Sequence, residues 1–284
     1  MRAHYGEENH GGPASDRDIR GRRHPRALMD PTLRSAYTAC RRLQRRHDPT
    51  YFAATSLLPA AVRPAIHALY GFVRTADQIV DGPDRPATPQ ERRVALDAWE
   101  LELERARVGE DAHPVPRALV DAGRRHDLPL DELRVYMTSM RVDCAPVRIR
   151  DDAELDRYMN GSAAAVGRIM APLIGTPERQ EEVARLGMAF QLANFVRDVR
   201  EDWALDRVYL PGLPESDLQA GRAGDGFREH VARQVDRARA MFGETLGIDE
   251  QVTGRVRHGM YLARRVYGRV LDRVERADYD VLTA

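Results

Sequence analysis

The sequence predicts an all-α protein, one helical bundle around a central cavity. Three observations carry this. From Pro31 onward apolar residues recur with the helical period of about 3.6, and strand-like alternation is scarce. Proline and glycine punctuate the chain where helices would end. Two of the resulting apolar helices each carry a polar stripe containing two aspartates four residues apart.

In chain order, residues 1–29 are rich in Gly, Arg, His and Asp without periodicity and read as a disordered tail, which leaves 30–284 as one domain. Helices are expected over 31–46 and 49–57, separated at Asp48-Pro49, then over 60–82 between Leu58-Pro59 and Gly82-Pro83. The next spans 88–107, opened by a Thr88-Pro89 cap, followed by 114–126 after His113-Pro114 and 130–143 after Leu128-Pro129. Helix 151–174 closes at Gly175-Thr176-Pro177, where Thr176-Pro177 caps 178–205. Beyond the Pro211–Pro214 break come 225–245 and 249–277. No change of composition marks a second domain.

Composition excludes several classes of function. Hydrophobic residues make up 43% and charged residues 31%, ordinary for a globular chain. The 44 basic residues are balanced by 44 acids, so nothing suggests attraction to nucleic acid. Cys40 and Cys144 lack partners at metal-ligand spacing and read as buried small hydrophobes in a reducing compartment. The N-terminus has no apolar signal region and no run reaches membrane-spanning length, so a cytoplasmic location is expected. The arginine-rich surface would permit peripheral membrane contact.

The acidic stripes carry the chemistry. Aspartates four apart are common in a chain with 26 of them, and Asp127/Asp131, Asp152/Asp156 and Asp202/Asp206 also have that spacing. Context singles out two pairs. Tyr70, Arg74, Asp77 and Asp81 form one stripe on a helix otherwise filled by Leu69, Phe72, Val73, Ala76, Ile79 and Val80. Gln191, Asn194, Asp198 and Asp202 form the other, against Leu192, Ala193, Phe195, Val196, Val199 and Trp203. Two such stripes turned toward each other make an oxygen-rich cleft suited to Mg2+ and phosphate esters. Between them, Tyr158–Gly167 (YMNGSAAAVG) is dense in small residues, which serve either close helix packing or the wall of a ligand pocket. A di-iron bundle would need Glu-x-x-His motifs in core helices, and Glu7-x-x-His10 lies in the tail.

Five blocks in order resemble the squalene/phytoene synthase family, its actinobacterial phytoene synthases in particular. They are YFAATSLLPAAVRPAIHALYGFVRTADQIVD (51–81), YMNGSAAAVG (158–167), QLANFVRDVREDW (191–203), RVYLP (207–211) and YGRVLDRVERADYDVL (267–282). The resemblance, over roughly residues 35–282, implies a single-domain isoprenoid synthase bundle, Mg2+ and prenyl diphosphate substrates. It implies that Asp77, Asp81, Asp198 and Asp202 hold the metal. Arg74, Asn194, Arg197, Gln191, Tyr51 and Tyr267 would surround the diphosphates, and Tyr70 or Tyr158 would assist proton removal. The implied reaction is head-to-head condensation of two geranylgeranyl diphosphates to phytoene.

The chain departs from the family pattern at three places. Gln78 stands where a second acid is usual, Asp206-Arg207 replaces a Gly-Arg pair, and the sequence ends at Ala284 where relatives continue with a basic segment. These departures leave open a transfer of one prenyl group, geranylgeranyl or shorter, to an aromatic acceptor. A squalene-pathway synthase and a non-catalytic helical binding protein are the further alternatives.

Overall fold

The computed structural model describes residues 30–252 and 254–283, so the tail expected over 1–29 lies outside the described residues. The described chain is helical almost throughout. Its first half comprises α1 (Pro31–His47), α2 (Pro49–Leu57), α3 (Arg63–Asp81), α4 (Pro89–Val108), α5 (Pro114–His126) and α6 (Glu132–Val142). Its second half comprises α7 (Asp152–Met159), α8 (Ala165–Ile174), α9 (Gln180–Arg197), α10 (Val199–Ala204), α11 (Glu215–Ala220), α12 (Asp225–Glu244), α13 (Gly247–Gln251) and α14 (Gly254–Arg276).

Caps set many of the starts. The Asp30 and Asp48 side chains accept from Thr32 N at 3.2 Å and Tyr51 N at 2.7 Å, satisfying first-turn donors of α1 and α2. Thr88 and Glu91 form a reciprocal capping box at α4. Thr176, expected to cap a helix, instead turns its hydroxyl toward the Ala171 carbonyl, and a short 3-10 turn at Pro177–Arg179 precedes α9.

Four expectations are corrected. The helix over 249–277 breaks at Val252, whose φ of −80° and ψ of 147° end α13 before α14. The helix over 151–174 is interrupted by a π-helical turn, Asn160–Ala164, between α7 and α8. The helix over 178–205 breaks at Asp198, whose φ of −98° and ψ of 15° separate α9 from α10. The chain also forms strands: β1 (Val147–Arg148) and β2 (Arg207–Val208) pair in parallel, Val147 opposite Arg207.

Apolar burial produces two large cores. One gathers α1, α3, α4, α5, α6 and α8 around Phe72, Leu103, Leu119, Leu133 and Ile169. The other gathers α7, α9, β2 and α12 around Leu155, Met159, Leu192, Phe227 and Val231. Both cysteines are fully buried, as expected of small hydrophobes. The small residues of YMNGSAAAVG serve close packing at the seam. A Cβ on Gly161 would fall 2.1 Å from Ser139 Oγ and 2.6 Å from the Val135 carbonyl oxygen, and one on Gly167 would meet the backbone of Val183 and Ala184. No helix among the described residues is long and apolar enough to cross a membrane.

Candidate active site

A cavity of about 330 Å3 opens where the two cores meet. The first core contributes Val73, Asp77 and Asp81 from α3, and Tyr136 and Met140 from α6. The second contributes Tyr158, Gln191, Asn194, Phe195, Arg197, Asp198, Asp202 and Tyr209. All four stripe aspartates therefore line one space, together with Gln191, Asn194, Arg197 and Tyr158. Ser162, from the small-residue block, joins them with a hydroxyl that finds no partner.

Four expected residues lie outside this lining. Tyr51 and Tyr70 pack on each other at 5.8 Å between ring centroids. Tyr267 stacks edge-on against Phe190 at 4.7 Å and stands beside the Arg197 guanidinium. Arg74 keeps a buried Nε without an acceptor, and its charge acts on both Asp77 and Tyr70.

The chain itself pairs two of the four stripe aspartates with guanidiniums. Arg197 grips Asp198 with two parallel hydrogen bonds of 2.5 Å each. Arg207, buried at 4% exposure, reaches Asp81 Oδ1 at 2.5 Å and donates to the Asp143 carbonyl at 2.8 Å. Burial works against the Arg207 charge, but the hydrogen bond to Asp81 and the neighbouring acids hold its pKa above the usual value. Asp77 and Asp202 have no arginine at ion-pair distance, although Arg74 and Arg207 act on them from further away. Burial pushes each carboxyl up to about 7, with Asp81 adding to the rise at Asp77 and Asp198 at Asp202. The Tyr136 hydroxyl donates to Asp77 Oδ1 at 3.0 Å and partly opposes that rise.

Four residues that the acidic stripes do not reveal, Tyr136, Asp143, Arg207 and Tyr209, complete the wall. Asp143 is buried and accepts hydroxyls from Tyr158 at 2.5 Å and Tyr209 at 2.8 Å. Burial raises its carboxyl to about 6, against the pull of Arg207 and the two tyrosines. The β1–β2 pairing brings this group together, because it clamps 143–148 beside 206–209. Tyr209 stacks on Phe195 at 4.3 Å, and Tyr158 lies 5.0 Å from Tyr209, so one side of the cavity is an aromatic surface. Arg207 and Tyr209 fall inside the RVYLP block, while nothing in the sequence marks Asp143 or Tyr136.

The donor set fits a hard divalent cation. All four aspartates offer oxygen, and the buried Asn194 Oδ1 lines the same space without a hydrogen-bond partner. Burial and the acid beside each hold the carboxyls of Asp77 and Asp202 up, a cost that a bound cation would offset. No three such ligands cluster closely enough to form a ready-made site among the described residues, which is consistent with Arg197 and Arg207 holding two of the four aspartates.

Comparisons with known proteins place the chain in a family. The family model described as Squalene/phytoene synthase matches residues 44–284. A 15-cis-phytoene synthase from Synechococcus elongatus is 33% identical over 88% of this chain and 87% of its own. A phytoene synthase from Thermus thermophilus is 34% identical over 89% and 88%. Among solved structures, squalene synthase HpnC from Alicyclobacillus acidocaldarius superposes with a TM-score of 0.79 at 31% identity, covering 87% of this chain and 95% of that one.

Proposed function

The chain belongs to the squalene/phytoene synthase family of prenyltransferases, and on that premise we propose that it condenses two geranylgeranyl diphosphates head to head to phytoene. One observation carries the reading: aspartates from both acidic helices line a single cavity with an aromatic wall. The curated relatives named phytoene synthase support this product.

Asp77, Asp81, Asp198 and Asp202 would hold Mg2+, with Asn194 as a further oxygen donor. The bound metal supplies charge neutralisation to a departing diphosphate, a poor leaving group on its own. Arg197 and Arg207, which hold Asp198 and Asp81, would be charge-assisted donors toward the same group. The cavity of about 330 Å3 with its polar lining would take the diphosphate heads. The chains would enter past its apolar side, Val73, Met140 and Phe195. The faces of Phe195, Tyr158 and Tyr209 then stand beside the allyl cation left by ionisation and keep water from it.

Tyr158 suits a proton relay better than a free base. Burial and the Asp143 charge hold its hydroxyl well above the usual tyrosine range. A proton arriving at Tyr158 would pass along its 2.5 Å hydrogen bond to Asp143. Exposed Tyr261, Leu262 and Val266 on α14, among exposed Arg255, Arg265 and Arg269, support peripheral membrane contact during release of so apolar a product.

Incubation of purified protein with Mg2+ and geranylgeranyl diphosphate alone, with extracts identified by mass spectrometry, tests the reading. A C40 hydrocarbon is expected. Transfer that occurs only after an aromatic acceptor is added would replace it with single prenyl transfer.

A further inference from the structure

Behind one wall of the cavity lies a second hollow of about 360 Å3. Asp143, Leu205 and Arg207 belong to the lining of both. The rest of its charged lining comprises Arg85 from the loop after α3, Arg92 from the second turn of α4, and Asp206 before β2.

The charges of this lining do not cancel locally. Asp143 is engaged with the hydroxyls of Tyr158 and Tyr209. Asp206 is bound at 2.6 Å by Arg148, which lies outside the lining. The arginines keep their charge available. Arg92 donates to the carbonyls of Thr88 and Ala87 at 3.3 Å each, contacts that fix a guanidinium without neutralising it. Among the described residues neither Arg85 nor Arg92 has a carboxylate within ion-pair distance. Arg207, more than nine-tenths buried and shared by both hollows, retains an Nε with no acceptor. Three guanidiniums around one hollow, two of them without an acid, make a receptor for a multiply charged oxyanion.

We propose that this hollow binds inorganic diphosphate after its release from the prenyl group, on its way from the aspartate cavity past Arg207 to solvent. The proposal rests on the prenyl-transfer reading for the source of the anion. Its physical basis is a change of charge balance across one wall: five carboxylates against two guanidiniums on the reacting side, two carboxylates against three guanidiniums behind. A trianionic or tetraanionic product in an acidic cavity needs a route along which its potential falls. No bond is made or broken in this step.

The test is a calorimetric titration of the full chain with inorganic diphosphate in excess chelator. Without metal, the aspartate cavity repels the anion, so binding reports the second hollow. Measurable binding by the unaltered protein is expected, weakened tenfold or more in the Arg85→Gln/Arg92→Gln double variant, with each single variant between. Far-UV circular dichroism and thermal midpoint confirm that the variants fold. With Mg2+ and substrate, the double variant should raise the product-inhibition constant of diphosphate by a similar factor and leave the KM for prenyl diphosphate unchanged. No binding by the unaltered protein in chelator, or equal affinity in the double variant, overturns the proposal. So does an equal dependence on Arg85 and Arg92 for an unreactive prenyl thiodiphosphate, which would assign the hollow to a substrate head group. The titration requires no turnover, so it reads this site whatever reaction the protein catalyses.

Discussion

In α3, Asp77 and Asp81 ride one uninterrupted helix of 19 residues. After α9 the same four-residue spacing crosses a backbone break, with Asp198 itself outside helical geometry. The second pair stays in register because Asp198 N donates to the Asn194 carbonyl and Asp202 N to the Asp198 carbonyl, both at 2.8 Å. The partners also differ in placement. In α3 the half-buried acid, Asp77, takes a tyrosine hydroxyl, and the acid at the helix end takes Arg207 from β2. In the second pair the first acid is held by its own neighbour Arg197, and the Asp202 carboxyl has no hydrogen-bond partner among the described residues. Each pair thus contains one carboxylate already matched by a guanidinium and one left to burial. Identical spacing fixes which cavity the acids face, while the tertiary partners decide which acids still need a cation.

Removal of the unmatched acids should have the largest effect, and of two kinds. Asp77→Asn and Asp202→Asn should each lower turnover on the order of a hundredfold or more, equivalent to several kcal/mol of transition-state stabilisation. Both should also raise the thermal midpoint of the metal-free protein, because a buried like-charge burden is gone. Asp81→Asn should cut turnover comparably but lower that midpoint, since it strips the ion-pair partner from the buried Arg207 at a cost of about 1–3 kcal/mol. Asp198→Asn should likewise lose turnover. Equal shifts of midpoint for matched and unmatched acids would erase the distinction. Near-normal turnover in any of the four would remove that residue from the site.

Tyr136→Phe should come next. It takes the hydroxyl from Asp77 without opening much space, and a loss of about 1.5 kcal/mol, or roughly tenfold in turnover, is expected for a hydrogen bond to a charged group. Steady-state kinetics at saturating Mg2+ would measure it.

The pH response follows from the same two acids. Unfolded aspartates titrate near ~3.9, whereas Asp77 and Asp202 in the fold titrate at about 7. The folded protein therefore binds more protons between those values. The stability these carboxyls contribute is present below about pH 4 and is lost as pH rises to about 7. Calorimetric midpoints of metal-free protein should fall across this window, and added Mg2+ should restore more stability at pH 8 than at pH 5. A midpoint that rises with pH in chelator would contradict the uncompensated burial of both groups.

The smallest effect on stability should come from Arg197→Gln, whose turnover should nevertheless fall because it faces the departing diphosphate. Its ion pair lies at the exposed rim, so less than about 1 kcal/mol of stability is expected to depend on it.

Much of this was readable from the chain. Proline and glycine breaks gave helix positions because each removes a donor or frees a backbone angle locally. The aspartate stripes gave the facing of α3 and α9, because side-chain direction repeats with the helical period. The small-residue block admitted two readings. Gly161 and Gly167 serve packing, and Ser162 lines the cavity. What stayed hidden depends on contacts distant in sequence. The β1–β2 pair is two residues long, too short for alternation to register, yet it sets Asp143 beside Arg207 and Tyr209. Tyr136 looks like any core residue of α6 until α3 places Asp77 against it, 59 positions away. The break at Asp198 has no Pro or Gly to announce it. Tyr51, Tyr70 and Tyr267, all in family-like blocks, pack on other aromatic rings beyond the cavity lining.

A double-mutant cycle most directly asks whether the two unlike pairs form one site. Mg2+-dependent binding of an unreactive prenyl thiodiphosphate would be measured calorimetrically for the unaltered protein, Asp77→Asn, Asp202→Asn and the double variant. One shared cation site predicts strong coupling, with the double variant binding scarcely worse than either single variant. Losses that simply add would mean that the two aspartate helices act independently.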